Sequence, residues 1–337
     1  MSLKDLTTVM LPAIEGELQR QVARLDEPRT RTFHEMLTYH MGWTGEGAGL
    51  EAQGKRIRPL LVLLSCAACN ADWKFALPAA AAIELVHNFS LVHDDIQDNS
   101  GKRRGRDTVW VKWGMPQGIN AGDALFVLSN QAMLDLAPTH PAETVVKAAK
   151  ILHDTCLDLT RGQYLDMFYE QRADLTIEDY WPMVSGKTAA LLGASCSLGS
   201  LLSEVDEATQ EAYRDFGHYL GLAFQVQDDL LGTWGDSARM GKSAESDLVS
   251  GKKSLPMLYG LGKNGLFARR WADGPVRPEE VAGLAEQLAA EGARLYTQET
   301  ADQMTDLALH SLRMADPQGE AGEALFELAN KLLNREA

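Results

Sequence analysis

Apolar residues recur three and four positions apart along almost the whole 337-residue chain, as in Leu85, Phe89, Val92 and Ile96. That spacing lines one face of a helix. The strand signature, strict alternation with β-branched residues, is scarce, so the pattern predicts an all-α fold. Gly, Pro, Asn and Asp cluster at Gly42–Gly54, Asn99–Gly105, Gly114–Gly118, Pro138–Pro141, Gly232–Gly241 and Asp273–Pro278, where helices are expected to break. The segments between run to about 20–30 residues, long for globular helices and ordinary for a bundle around a deep central cavity. No composition shift, internal repeat or low-complexity tract divides the chain, which predicts a single helical domain over 1–337. From Arg277 onward the sequence reads as structural amphipathic helix rich in Ala, Leu and Glu.

Composition narrows the partners. Hydrophobic residues at 45% and charged residues at 23% exclude disordered, collagen-like and coiled-coil classes. With 32 Lys+Arg against 47 Asp+Glu the net charge is −15, which argues against nucleic acid or an anionic membrane as partner. Cys66, Cys69, Cys156 and Cys196 are too few and too far apart for a disulfide framework. The C-x-x-C of Cys66 and Cys69 lies in the apolar run Leu60–Ala71 and reads as core thiols. Lys4, Asp5, Glu15 and Glu17 exclude a signal peptide at the N-terminus. No stretch reads as the roughly 18 apolar residues of a membrane span, and the expectation is a cytoplasmic protein.

The densest chemistry is Glu84-Leu-Val-His87-Asn-Phe89-Ser90-Leu-Val-His93-Asp94-Asp95-Ile-Gln-Asp98, followed by Arg103-Arg104-Gly105. On a helix Asp94 and Asp98 share a face one turn apart, with His87 two turns before Asp94. Three carboxylates within a turn raise one another's pKa, and at a helix C-terminus they also oppose the macrodipole. A hard dication is the natural compensation. A second cluster, Phe224-Gln225-Val-Gln-Asp228-Asp229-Leu-Leu-Gly232, again closes an apolar helical segment. Two such clusters facing across a cavity would hold several Mg²⁺ ions together with phosphate oxygens, which predicts a diphosphate ligand. The basic groups fit it: Lys55, Arg56 and Arg58 open a helix, Arg103 and Arg104 follow the first cluster, Lys187 and Thr188 follow Gly186, and Lys242, Lys252 and Lys253 follow the second cluster.

Over roughly residues 50–262 the sequence resembles the trans-type isoprenyl diphosphate synthases, the polyprenyl synthetase family. The resemblance rests on Gly54-Lys-Arg-Ile-Arg-Pro59, Asp94-Asp95-x-x-Asp98 with Arg103-Arg104-Gly105, Asn120-Ala-Gly-Asp-Ala-Leu-Phe126, Gly162-Gln163-x-x-Asp166, Gly186-Lys187-Thr188, Phe224-Gln225-x-x-Asp228-Asp229 and Gly251-Lys252-x-Ser-Leu-Pro256, in the family's order and spacing. It implies the isoprenoid synthase type of helical fold and a chain-elongating prenyltransferase. An allylic diphosphate (dimethylallyl, geranyl or farnesyl) would bind through Mg²⁺, with Mn²⁺ a substitute, to Asp94, Asp98 and Asp228. It would lose diphosphate to give an allylic cation, which the double bond of isopentenyl diphosphate attacks; the departing diphosphate takes the proton. By position Lys55, Arg58, His87 and Arg104 resemble the isopentenyl diphosphate site. Arg103, Lys187, Gln225, Lys242 and Lys252 resemble the allylic clamp, Thr188 and Gln225 would turn dipoles toward the cation, and Asp95 and Asp229 complete the catalytic acidic pairs. Family members are commonly homodimers.

One departure stands out. Gly232 occupies the place of the family's usual third Asp, which predicts weakened support without lost activity. Asp228-Asp229-Leu-Leu-Gly232-x-x-x-Asp236 also loosely resembles the second metal motif of class I terpene cyclases, so cyclisation or irregular coupling is one alternative. A non-catalytic partner subunit of a synthase is another, opposed by the presence of both Asp pairs. Residues just upstream of the first motif set product length in the family. Here they are Phe89 and Ser90, one large and one small, a pair that resembles C20 enzymes, with C15 next. On the helical wheel Ser90 lies near the Asp face, while Phe89 falls on the opposite stripe and reads equally well as core.

Overall fold

The computed structural model describes residues 2–170, 172–235 and 247–333. They are helical almost throughout and divide into two compact units: Met1–His153 with Ser195–Gln210 and Asp316–Leu325, and Asp154–Ala194 with Glu211–Ala315 and Phe326–Ala337.

The first unit is organised around the helix Leu77–Gln97, which packs against Met115–Leu134, Ile57–Ala68 and Leu3–Val22. The run Ala79–Ala82 is wholly buried, and its small side chains allow close approach on several faces. Gly122 serves the same end: a Cβ there would run into the His93 ring. Leu3–Val22 starts with a capping box between Ser2 and Asp5 and buries Met10, Ile14 and Leu18 at helical spacing. The membrane reading needs one correction. Trp73–Gln97 is a helical stretch of 25 residues, long and apolar enough to span a bilayer by length and composition. Alanines raise its apolarity without forming a bulky run, and most of its most apolar stretch is buried within the unit, as a core helix requires.

Asn99–Gly105 breaks the chain as expected, but into a hairpin. Lys102 pairs with Asp107 and Arg103 with Arg106 in antiparallel register. The two turn residues, Arg104 and Gly105, both have positive φ (52° and 76°), as a type I′ hairpin turn demands.

The second unit has a core of Tyr180, Met183, Val184, Leu222, Val226 and Leu255. A separate cluster gathers Met257, Phe267, Leu284 and Leu288. Two expected breaks shift. The helix Glu207–Trp234 continues through Gly232, and Met115–Leu134 starts directly after Gly114, with Gly118 inside it. A π turn, Ser185–Ala189, separates the helices Ile177–Val184 and Ala190–Leu201.

Candidate functional site

In the first unit the acidic motif closes the helix Leu77–Gln97. The Asp98 amide donates to the Asp94 carbonyl at 2.8 Å, so helical spacing persists to Asp98 and the two residues stay one turn apart. Asp94 is half-buried and Asp98 exposed. Asp95 differs: it is 2% exposed, and its Oδ1 accepts from Arg103 Nε at 2.8 Å. Burial pushes the Asp95 carboxyl up to about 6, against the opposing Arg103 charge and with Asp94 and Asp98 adding to the rise.

Arg56, Arg58 and Arg103 contact the same helix, at Glu84, His87 and Asp95. Arg104 reaches from the hairpin turn to donate to the Ala52 carbonyl at 2.7 Å. Its guanidinium lies where a Cβ on Gly54 would sit, and Gly54 has φ +82°, so only glycine fits. Arg58 Nη1 lies 3.4 Å from His87 Nε2. Arginine can only donate, so Nε2 accepts and the His87 proton belongs on Nδ1. Burial, then the Arg58, Arg104, Arg103 and Arg56 charges, hold His87 neutral. Lys55 is exposed. Arg103, Arg104 and Asp95 line a small cavity with His40, whose Nε2 is buried without a hydrogen-bond partner.

Phe89 is half-buried, with its ring 5.2 Å from both Phe126 and His93. Ser90 is half-buried, and its hydroxyl donates back to the His87 carbonyl at 2.8 Å.

The second unit builds its site from the π turn and the helix Glu207–Trp234. Gly162 and Gly186 meet backbone to backbone, since a Cβ on either would strike the other's segment. That approach lets Lys187 Nζ pair with Asp166. Thr188 Oγ1 donates to Gln225 Oε1 at 2.9 Å, and Gln225 Nε2 donates to Asp229 Oδ1 at 2.9 Å. Asp229 is 1% exposed. Its Oδ2 also accepts the Tyr180 phenol at 2.8 Å and the Leu255 amide at 3.1 Å, and Lys252 Nζ stands 3.5 Å from Oδ1. Burial opposes the Lys252 charge, but Asp229, Asp247 and Asp166 outweigh it and hold the pKa above that of an ordinary lysine. Asp228, one residue earlier, is half-buried. Lys242 lies outside the described residues, as does Asp236.

Residues 48–271 match the family model of the polyprenyl synthetases. The chain belongs to the polyprenyl synthetase family. It is 37% identical over 329 residues to the (2E,6E)-farnesyl diphosphate synthase of Mycobacterium bovis, covering 94% of this chain and 89% of the relative. It is 36% identical over 339 residues to the geranylgeranyl diphosphate synthase of Mycobacterium tuberculosis, covering 98% and 95%. A crystal structure of geranylgeranyl pyrophosphate synthetase from Pyrococcus horikoshii superimposes with a TM-score of 0.88 at 32% identity, over 97% of this chain and 96% of that one. The all-α expectation agrees with these neighbours.

Within this polyprenyl synthetase the structure adds residues that the motifs alone left without a role. Asp166 pairs with Lys187, and Tyr180 holds Asp229. Arg56, expected with Lys55 and Arg58 among the basic groups for the diphosphate, is instead buried between Glu15 and Glu84. Asp166 and Arg56 stood inside recognisable motifs, whereas Tyr180 and Glu15 carried no local signal.

Proposed function

We propose that the chain is a chain-elongating prenyl diphosphate synthase. It condenses isopentenyl diphosphate with dimethylallyl, geranyl or farnesyl diphosphate, and its main product is geranylgeranyl diphosphate (C20), with farnesyl diphosphate (C15) next. The supporting observation is a division of labour repeated in both acidic pairs. Asp95 and Asp229 are buried and tied to Arg103 and to Tyr180, Gln225 and Lys252, while their neighbours Asp94 and Asp228 keep partial exposure.

The donor set suits Mg²⁺. Among the described residues no three His, Cys, Asp or Glu side chains are grouped so as to hold a metal ion by themselves. Mg²⁺ takes one or two carboxylates and completes its octahedron with water and phosphate oxygens. Asp94 and Asp98 in the first unit and Asp228 in the second are its proposed ligands. When bound, Mg²⁺ or Mn²⁺ supplies charge neutralisation for the leaving diphosphate. The remaining chemistry belongs to the side chains. Lys55, Arg58 and Arg104, with neutral His87, hold isopentenyl diphosphate. Arg103, Lys187, Gln225, Lys242 and Lys252 hold the allylic diphosphate and stabilise charge developing on it. Thr188 Oγ1 and the Gln225 amide direct dipoles at the allylic carbons. Against burial, the carboxylates of Asp229, Asp247 and Asp166 favour the charged form of Lys252, and the released diphosphate is the proposed acceptor of the proton.

We also propose a cytoplasmic homodimer. Ile119, Val127 and Leu134 are exposed on the helix Met115–Leu134, an apolar surface suited to a second copy. Cys66, Cys156 and Cys196 are buried thiols whose pKa values burial raises, which suits a reducing compartment.

Purified protein given Mg²⁺, isopentenyl diphosphate and each allylic primer in turn should release diphosphate and form longer prenyl diphosphates. EDTA should stop turnover, and Mg²⁺ or Mn²⁺ should restore it. A hydrocarbon product from a single allylic substrate, or no product without a second protein, overturns the reading.

A further inference from the structure

Arg56 stands between two residues assigned to isopentenyl diphosphate, yet its own side chain turns away from solvent. It is 5% exposed and has a left-handed backbone, φ +49°, immediately before the helix Ile57–Ala68. Such a conformation is uncommon for a residue with a side chain and persists where its surroundings impose it. The guanidinium supplies that constraint. Nε donates to Glu15 Oε1 at 2.5 Å, Nη1 to Glu84 Oε1 at 2.8 Å, and Nη2 to Glu15 Oε2 at 3.4 Å and to the Met41 carbonyl at 3.3 Å. Both carboxylates are fixed in turn: Trp43 Nε1 donates to Glu15 Oε2 at 2.7 Å, and Asn88 Nδ2 donates to Glu84 Oε1 at 3.0 Å.

Glu84 is 2% exposed and lies one helical turn before His87. The segment around Arg56 is therefore joined to the helix Leu77–Gln97 twice. The tie from Arg56 to Glu84 is buried and charge-paired, and the tie from Arg58 to His87 is long and joins a cation to a neutral ring. Arg58 Nε is also buried without a hydrogen-bond partner. A stiff tie beside a soft one with donor capacity to spare describes a site in which one arginine sets the spacing and the other awaits an anion. A buried ion pair contributes little net stability and much directional specificity, which suits that task.

We infer that Arg56, clamped by Glu15 and Glu84, is a positioning residue that presets Lys55 and Arg58 for isopentenyl diphosphate, so that the N-terminal helix takes part in recognising that substrate. This rests on the assignment of Lys55 and Arg58 to isopentenyl diphosphate. Steady-state kinetics of the full-length protein with each substrate varied separately tests it. Arg56→Met should raise the isopentenyl diphosphate KM by about thirtyfold or more, and Arg56→Lys, which keeps the charge and one tie, should recover to within about tenfold of the parent. Glu15→Gln removes one charge at the half-buried end of the clamp and should raise the same KM about three- to tenfold, with the allylic KM within about twofold. Should Arg56→Met fold poorly, Glu15→Gln and Arg56→Lys carry the test. An unchanged isopentenyl KM in Glu15→Gln, or equal rises in both KM values alongside a lowered Tm, overturns the inference. Lys55→Ala and Arg58→Ala serve as the control: if neither raises the isopentenyl KM, the substrate assignment itself has failed, and if both do while Glu15→Gln does not, only the role of Arg56 has.

Discussion

The Tyr180 phenol donates to Asp229 Oδ2 at 2.8 Å, and both residues are buried. Burial and the facing carboxylate keep that phenol protonated, so it is a permanent donor. Tyr180→Phe should therefore cost about 1–3 kcal/mol in urea denaturation, because the buried Asp229 carboxylate loses a donor. The allylic KM should rise while the isopentenyl KM holds. Equal stability of variant and parent would show that the bond contributes nothing.

Asp94 and Asp95 should fail in different ways. Asp94→Ala removes a half-buried carboxylate and should lower kcat by two orders of magnitude or more with Tm nearly unchanged. Asp95→Ala leaves Arg103 without its partner and should lower both Tm and kcat. Parallel melting curves and initial rates separate the two, and an Asp94→Ala rate within threefold of the parent would refute the ligand assignment.

Acid should destabilise the fold through its neutral histidines. Burial, then Arg103, Arg104 and Arg56, lower His40 to about 3, and burial, then Arg58, Arg104, Arg103 and Arg56, hold His87 well below its usual value. The unfolded chain takes up these protons near pH 6.5 and the folded chain does not, so stability falls as pH drops below about 6.5, by about 1.4 kcal/mol per pH unit for each histidine. His40→Asn should lose about 2 kcal/mol less than the parent between pH 6.5 and 5 in urea titrations.

Gly232 has acquired a neighbour. A Cβ there would lie 2.7 Å from Asp247 Oδ2, so Gly232→Asp sets one carboxylate against another. The variant should keep its product length but melt lower, and adding Asp247→Ala should restore part of the loss. A single variant as stable as the parent would show that Asp247 moves aside freely.

Phe89 packs on Phe126, so both the pocket-floor reading and the core reading have a physical basis. Phe89→Ala should shift products beyond C20, since each CH₂ given room to bury is worth about 0.8 kcal/mol. Unchanged chain length in a folded, active variant would remove Phe89 from the floor.

The helices and motif residues were legible because their signals are local: apolar spacing of three and four, and Asp, Gly and Lys within one or two turns. The contacts that escaped depend on chain-distant approach. Glu15 meets Arg56 from 41 residues away, and Tyr180 meets Asp229 from 49. The hairpin at Lys102–Asp107 has two-residue strands, too short to show alternation. The length of Trp73–Gln97 was hidden because its alanines are small as well as apolar.

The π turn at Ser185–Ala189 carries a consequence for insertions and deletions. It holds one residue more than an α-helical turn would. Removing one of its residues would let the backbone close into regular helix, with the helix beyond keeping its register while the remaining residues of the turn shift against their neighbours. Thr188 would swing off Gln225 and Lys187 off Asp166, although every side chain of the motif except the deleted one would still be in the sequence. At this position the count of residues matters as much as their identity, so a family member one residue shorter here would need a different clamp.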